Sequence, residues 1–103
     1  MTTQIQEKLI KAHVFISGRV QGVFYRFYTE KQAKRLGVSG WVRNRLDSRV
    51  EAVIVGPEKK VNQMLSWFWQ GSPLSKVEKV KTVTKKSVKN DPFAGQFTRR
   101  PTI

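Results

Sequence analysis

The apolar positions of this chain fall into short runs separated by glycine, proline and charged turns. A short apolar segment from Ala12 to Ser17 predicts a first strand over residues 11–17. Past a glycine-containing loop the spacing changes. Tyr25, Thr29, Ala33 and Leu36 share one helical face, with Tyr28 and Gln32 beside it, and Gly37 suits the helix C-terminus. Residues 38–45 predict a second strand, Leu46-Asp47-Ser48 a turn, and the β-branched residues 49–55 a third strand. Gly56-Pro57-Glu58 opens a second helix, with proline near its first turn and an acid at the positive end of the dipole. Val61, Met64, Leu65 and Phe68 follow the i, i+3, i+4, i+7 spacing of one buried face. Gly71-Ser72-Pro73 ends that helix. Residues 77–83 predict a fourth strand, Asp91-Pro92 a turn and residues 96–100 a short final strand.

The resulting order, β-α-β-β-α-β with one added strand, is the ferredoxin-like split βαβ pattern. It implies an α+β fold with two helices on one face of an antiparallel sheet. Strands one and three lie in the middle, and strand two lies outside three. Residues 1–10 are expected to form a flexible N-terminal arm and residues 11–103 a single domain.

Composition narrows the chemistry. The 103 residues are 39% hydrophobic, enough for one core without disulfides or metal. With no cysteine there are no disulfides, thiol nucleophiles or cysteine metal sites. His13, the single histidine, builds neither a metal site nor a Ser-His relay by itself, and a structural role is its plainest reading. No apolar run approaches the roughly 20 residues of a membrane helix. The first ten residues have no signal-peptide core, so the expected home is cytoplasmic. Twenty Lys and Arg against seven Asp and Glu give a net charge of +13. Such a field attracts phosphorylated small molecules, nucleic acids and acidic membranes alike, and does not choose among them. The basic residues cluster only modestly, at Arg43, Arg45 and Arg49 and over residues 76–89, which favours a solvated surface over a nucleic-acid stripe.

Two stretches carry candidate chemistry. The first is Gly18-Arg19-Val20-Gln21-Gly22-Val23, running on through Phe24-Tyr25 to Arg26. Two glycines four residues apart, between a strand and a helix, allow a tight turn and close approach to a ligand. Successive N–H groups leading into a helix N-terminus favour an anion, and Arg26 adds a five-donor fork. The loop lacks the Gly-Lys-Ser/Thr ending of a nucleotide P-loop and the Gly-x-Gly of a dinucleotide fingerprint. The same residues also suit a plain βα turn with a surface arginine. The second stretch is Gly40-Trp41-Val42-Arg43-Asn44. Asn44, at the end of strand two, has a side-chain amide that donates and accepts, though asparagine is also common before a turn.

Together, Gly-Arg-Val-Gln-Gly-Val-x-x-Arg and Ala-Lys-Arg-Leu-Gly-Val-x-Gly-Trp-Val-x-Asn resemble the acylphosphatase family. The resemblance covers residues 12–83, through Val50-Glu51-Ala52-Val53, Gly56-Pro57-Glu58 and Gly71-Ser72-Pro73, and more weakly residues 93–99. It implies a hydrolase of acyl phosphates that needs no cofactor and no metal. It assigns phosphate binding to Gly18, Arg19, Val20, Gln21, Gly22, Val23 and Arg26, and the orienting of the attacking water to Asn44. The implied partners are a small-molecule acyl phosphate and its product, inorganic phosphate, with no membrane and with a monomer as the working state. The usual Asp-Gly turn is here Asp47-Ser48, and Trp67-Phe68-Trp69 is unusually aromatic for a helix end.

This reaction suits a chain so poor in catalytic groups. Cleaving the P–O bond of an acyl phosphate releases a carboxylate whose conjugate acid has a pKa of about 4, so no general acid is required. Stabilising phosphoryl charge and positioning water suffice. The competing class is an RNA-binding module of the same fold. Such modules set aromatics on the two central strands, where strand one offers Phe15 and strand three has none. A third reading likens the chain to the acylphosphatase-like domain of carbamoyl-transferring maturation proteins.

Overall fold

Alternation governs the first strand. Ile10, Ala12, Val14 and Ile16 are buried on one side of β1 (Leu9–Arg19), while Lys11, His13, Phe15 and Ser17 lie on the other. The computed structural model describes residues 8–103. After β1 come α1 (Tyr25–Leu36), β2 (Ser39–Asn44), β3 (Val50–Pro57), α2 (Glu58–Gln70), β4 (Lys76–Val88) and β5 (Phe97–Arg99). The sheet order is β4-β1-β3-β2-β5, with β1 and β3 inside and β2 outside β3, as the pattern predicts. One correction concerns direction. The sheet is mixed, because β5 joins the free edge of β2 in parallel, with Gly40 opposite Phe97 and Val42 opposite Arg99.

Both helices pack on one face of the sheet. α1 buries Tyr25, Thr29 and Ala33, and α2 buries Val61, Met64 and Phe68. They close on Ile10, Ala12, Val14, Ile16, Val42, Val50, Ala52, Ile54 and Phe97. Each Val, Ile, Met or Phe among them contributes about 1.5–3 kcal/mol when fully buried. In the aromatic stretch of α2, Phe68 is in the core, Trp67 packs on Tyr25 with ring centroids 5.7 Å apart, and Trp69 is exposed.

Two strands are longer than their apolar runs. β1 begins at Leu9, which pairs with Pro57 and Val88, so Leu9 and Ile10 belong to the sheet and not to an arm. Residues 1–7 of the expected arm lie outside the described residues. β4 continues past residue 83 to Val88, although its side chains from Lys81 to Ser87 are exposed. Backbone pairing with β1 holds it there, and its lysines suit an outer edge, where charge discourages pairing with another chain.

The other face of the sheet has no helix. There Glu51 of β3 is almost fully buried beneath its neighbours. It accepts from His13 Nε2 at 2.6 Å, Arg43 Nε at 2.8 Å and Arg45 Nη1 at 3.3 Å. Arg43 and Arg100 stand over the Trp41 ring at 4.8 and 4.6 Å, and Arg49 stands over Phe15 at 4.2 Å. The open-face aromatics are thus already covered by guanidinium groups. His13 has a structural part here, on a central strand.

Candidate active site

Five residues, Val20 to Phe24, turn the chain from β1 into α1. Gly18 still belongs to β1. Its φ is +121°, and a Cβ there would lie 2.3 Å from the Lys76 carbonyl oxygen, so a larger residue would part β1 from β4 just before the loop. Gly22 has φ +75° with open space around it, and only backbone faces outward there. Phe24, the residue before α1, is left-handed at φ 60° and ψ 24°, and makes no side-chain cap. That conformation costs a non-glycine residue about 1–2 kcal/mol.

The turn leaves donors unspent. Val20 N–H donates to the Gly18 carbonyl at 3.1 Å, whereas the N–H groups of Gln21, Gly22, Val23 and Phe24 have no protein acceptor among the described residues. Together with the uncapped N-terminus of α1 they leave positive partial charge in this turn. Arg26, in the first turn of α1, adds a full charge. It has no carboxylate within 4.0 Å among the described residues.

These groups line a cavity of about 340 Å³. Val20, Gly22, Phe24, Tyr25, Arg26 and Phe27 form the side made by the loop and α1, and Asn44 and Arg99 form the side made by the sheet. Asn44 is the last residue of β2, opposite Val50, on the same side of the strand as the core residue Val42. Its Oδ1 is buried and has no hydrogen-bond partner, a state that costs about 1–3 kcal/mol unless a ligand relieves it. The Tyr25 hydroxyl is committed elsewhere, donating to the Phe68 carbonyl at 2.7 Å, and burial raises its pKa far above the usual range.

Gln21 ties the two sides together. Its Nε2 donates to the carbonyls of Arg45 and Arg49, each at 2.8 Å, and both belong to the hairpin that follows Asn44. Of the residues expected at the site, Val20, Gly22, Arg26 and Asn44 meet in the cavity. Gly18 and Arg19 sit in β1 with the Arg19 side chain exposed, and the Gln21 side chain is turned to the hairpin. Val23 is in the core, and its carbonyl accepts from Ser72 Oγ at 2.8 Å. Sequence reasoning missed Phe24, Tyr25 and Phe27 as walls, although they stand inside the loop motif. It also missed Arg99, whose place depends on the β2–β5 pairing and leaves no local signal. Among the described residues, no three His, Cys, Asp or Glu side chains are grouped to hold a metal ion.

The chain matches the acylphosphatase family model over residues 12–97. It is 48% identical over 89 residues to an acylphosphatase of Syntrophobacter fumaroxidans, covering 86% of each chain. It is 45% identical over 85 residues to acylphosphatase-2 of Gallus gallus, covering 82% of each. The structure of an acylphosphatase from Coxiella burnetii superposes with a TM-score of 0.79 at 30% identity, over 94% of this chain and all of that one. Full-length HypF, at 19% identity and a TM-score of 0.79, shares the fold over 97% of this chain and 13% of its own. By its sequence match along most of its length, the chain belongs to the acylphosphatase family, enzymes that hydrolyse acyl phosphates to carboxylate and phosphate.

Proposed function

We propose that the phosphoryl group of the acyl phosphate sits against the free loop amides and the Arg26 guanidinium, while Asn44 holds the attacking water. The observation that carries this reading is the unpartnered Asn44 Oδ1, buried in the same cavity as an arginine without a carboxylate. Oδ1 accepts one O–H of the water, which leaves an oxygen lone pair free to face phosphorus. The water oxygen forms a bond to phosphorus as the bond to the acyl oxygen breaks. The acyl oxygen keeps the electron pair and leaves as a carboxylate. The second water proton moves to a phosphoryl oxygen, so a dianionic acyl phosphate and water give a carboxylate and dihydrogen phosphate. Arg26 and the amides meet the charge on the phosphoryl oxygens at each stage.

In this mechanism Gln21 is a positioning residue, because its two bonds fix the loop relative to the hairpin of Asn44. Gly18 and Gly22 shape the loop, and the contribution of Arg19 and Val23 is through backbone. The working state in this reading is a cytoplasmic monomer, which sedimentation at the mass of one chain tests. Benzoyl phosphate with the purified protein in excess chelator tests the reaction itself. Turnover at the rate seen without chelator is expected. Hydrolysis no faster than the uncatalysed background, or only after a metal is added, contradicts it.

A further inference from the structure

Arg99 stands in the cavity wall, yet the mechanism above does not use it. It is the last residue of β5, opposite Val42 of β2, and so flanks the strand that ends in Asn44. Its Nε lies 3.5 Å from Glu30 Oε1. Glu30 is four residues after Arg26 on α1, one helical turn farther from the loop, a spacing of about 5.4 Å. Glu30 therefore holds Arg99 beside the phosphoryl region and beyond it. Only Nε is engaged. The two terminal nitrogens of Arg99, which carry four N–H donors, have no protein acceptor among the described residues. The same cavity wall includes two apolar side chains, Phe24 at 71% and Phe27 at 46% exposed. Two guanidinium groups and two exposed phenylalanines thus share one cavity wall.

We propose that Arg99 selects the substrate by binding a carboxylate at the far end of the acyl group. The preferred substrates are then monoacyl phosphates of short dicarboxylic acids. This rests on the acyl phosphate reading of the site. The phosphoryl end meets the loop amides and Arg26, the methylenes lie along Phe24 and Phe27, and the distal carboxylate takes the Arg99 fork as a charge-assisted pair. A site built to bind a polar group discriminates against an analogue that lacks it.

Succinyl phosphate and butyryl phosphate have four-carbon acyl groups that differ at the distal end, carboxylate against methyl. The ratio of their kcat/KM values is the readout, taken at about 0.15 M and again at higher salt to screen the long-range field of the chain. The wild-type ratio is expected to favour succinyl phosphate by about tenfold. Arg99→Leu is expected to bring the ratio close to one, and Arg99→Lys to keep part of it. A structural role for Arg99 would lower both substrates together and leave the ratio unmoved. A role in holding the phosphoryl group would do the same while also weakening inhibition by inorganic phosphate. Either pattern, or a wild-type ratio near one, overturns the proposal. Failure of the wild type on both substrates would instead strike the acyl phosphate mechanism.

Discussion

Arg43 and Asn44 are neighbours in β2 and point to opposite faces of the sheet, where their fates diverge. On the open face, Arg43, Arg45 and His13 converge on the buried Glu51 carboxylate. On the helix-covered face, Asn44 Oδ1 has no donor and Arg26 has no carboxylate within 4.0 Å among the described residues. The Glu51 carboxylate is satisfied by the protein itself, although Arg45 Nε beside it is buried without a partner, whereas Asn44 Oδ1 is not satisfied. The +13 charge does not distinguish the two faces, since both are basic. What sets the candidate active-site face apart is unmet hydrogen-bonding capacity in a concavity that Arg45 does not line, held in place by groups such as the Gln21 amide nitrogen, which spends both its hydrogens on the hairpin. The Glu51 cluster ties β1, β3 and β2 in the register on which the position of Asn44 depends.

The sharpest break in that comparison is Arg26→Ala. Loss of this guanidinium is expected to lower kcat/KM for benzoyl phosphate by about a thousandfold or more and to weaken inorganic phosphate binding. The thermal midpoint should change little, because no partner is orphaned. Steady-state kinetics, phosphate titration and a melt on one sample check all three. A large fall in stability with activity retained would reverse the roles of the two faces.

Glu51→Gln tests the other face. The side chain is 6% exposed and its partners are 18–30% exposed. Losing the charge is expected to cost about 1–3 kcal/mol, the discounted end of the range for breaking a buried pair. The effect should carry a pH signature. Burial raises the Glu51 pKa, but hydrogen bonds from Arg43 and His13 outweigh it, so the carboxyl lies below its ordinary value of 4.5. A depressed folded pKa contributes stability above the unfolded value, and that contribution fades as pH falls through the folded value. The stability gap between wild type and Glu51→Gln should therefore be full near neutrality and shrink below about pH 4.5, as read by denaturant melts across pH.

The smallest effect lies in the turn between the two faces. Ser48 is held at φ 74° in the left-handed region, and Asp47 steadies the turn through Arg49 N–H at 3.2 Å. Ser48→Gly should relieve that conformation and raise stability by up to about 1 kcal/mol. A drop in the melting temperature would show that the Ser48 hydroxyl, bonded to the Asp47 carbonyl, matters more than the backbone.

How much of this was legible depended on whether a feature was local. The faces of α1 and α2 followed from spacing, and Tyr25, Thr29, Val61, Met64 and Phe68 are buried as that spacing predicts. The end of β4 was not legible, because Lys85 and Lys86 are held in the sheet by pairing with β1 and bury nothing themselves. The loop and Arg26 were readable together as a candidate anion cup, since they are adjacent in the sequence. Asn44 gained its meaning from the family resemblance, and the structure adds the bare Oδ1. Arg99 and Glu51 were invisible because each acts through register. One needs β5 laid along β2, and the other needs three strands side by side.

The water-positioning role of Asn44 is tested most directly by Asn44→Ala, with kcat for benzoyl phosphate and the Kd of inorganic phosphate measured on the same preparation. The expected result is a fall in kcat of about a hundredfold or more, with phosphate Kd within about threefold of wild type. Turnover at the wild-type rate, or a loss of phosphate affinity as large as the loss of kcat, would contradict it.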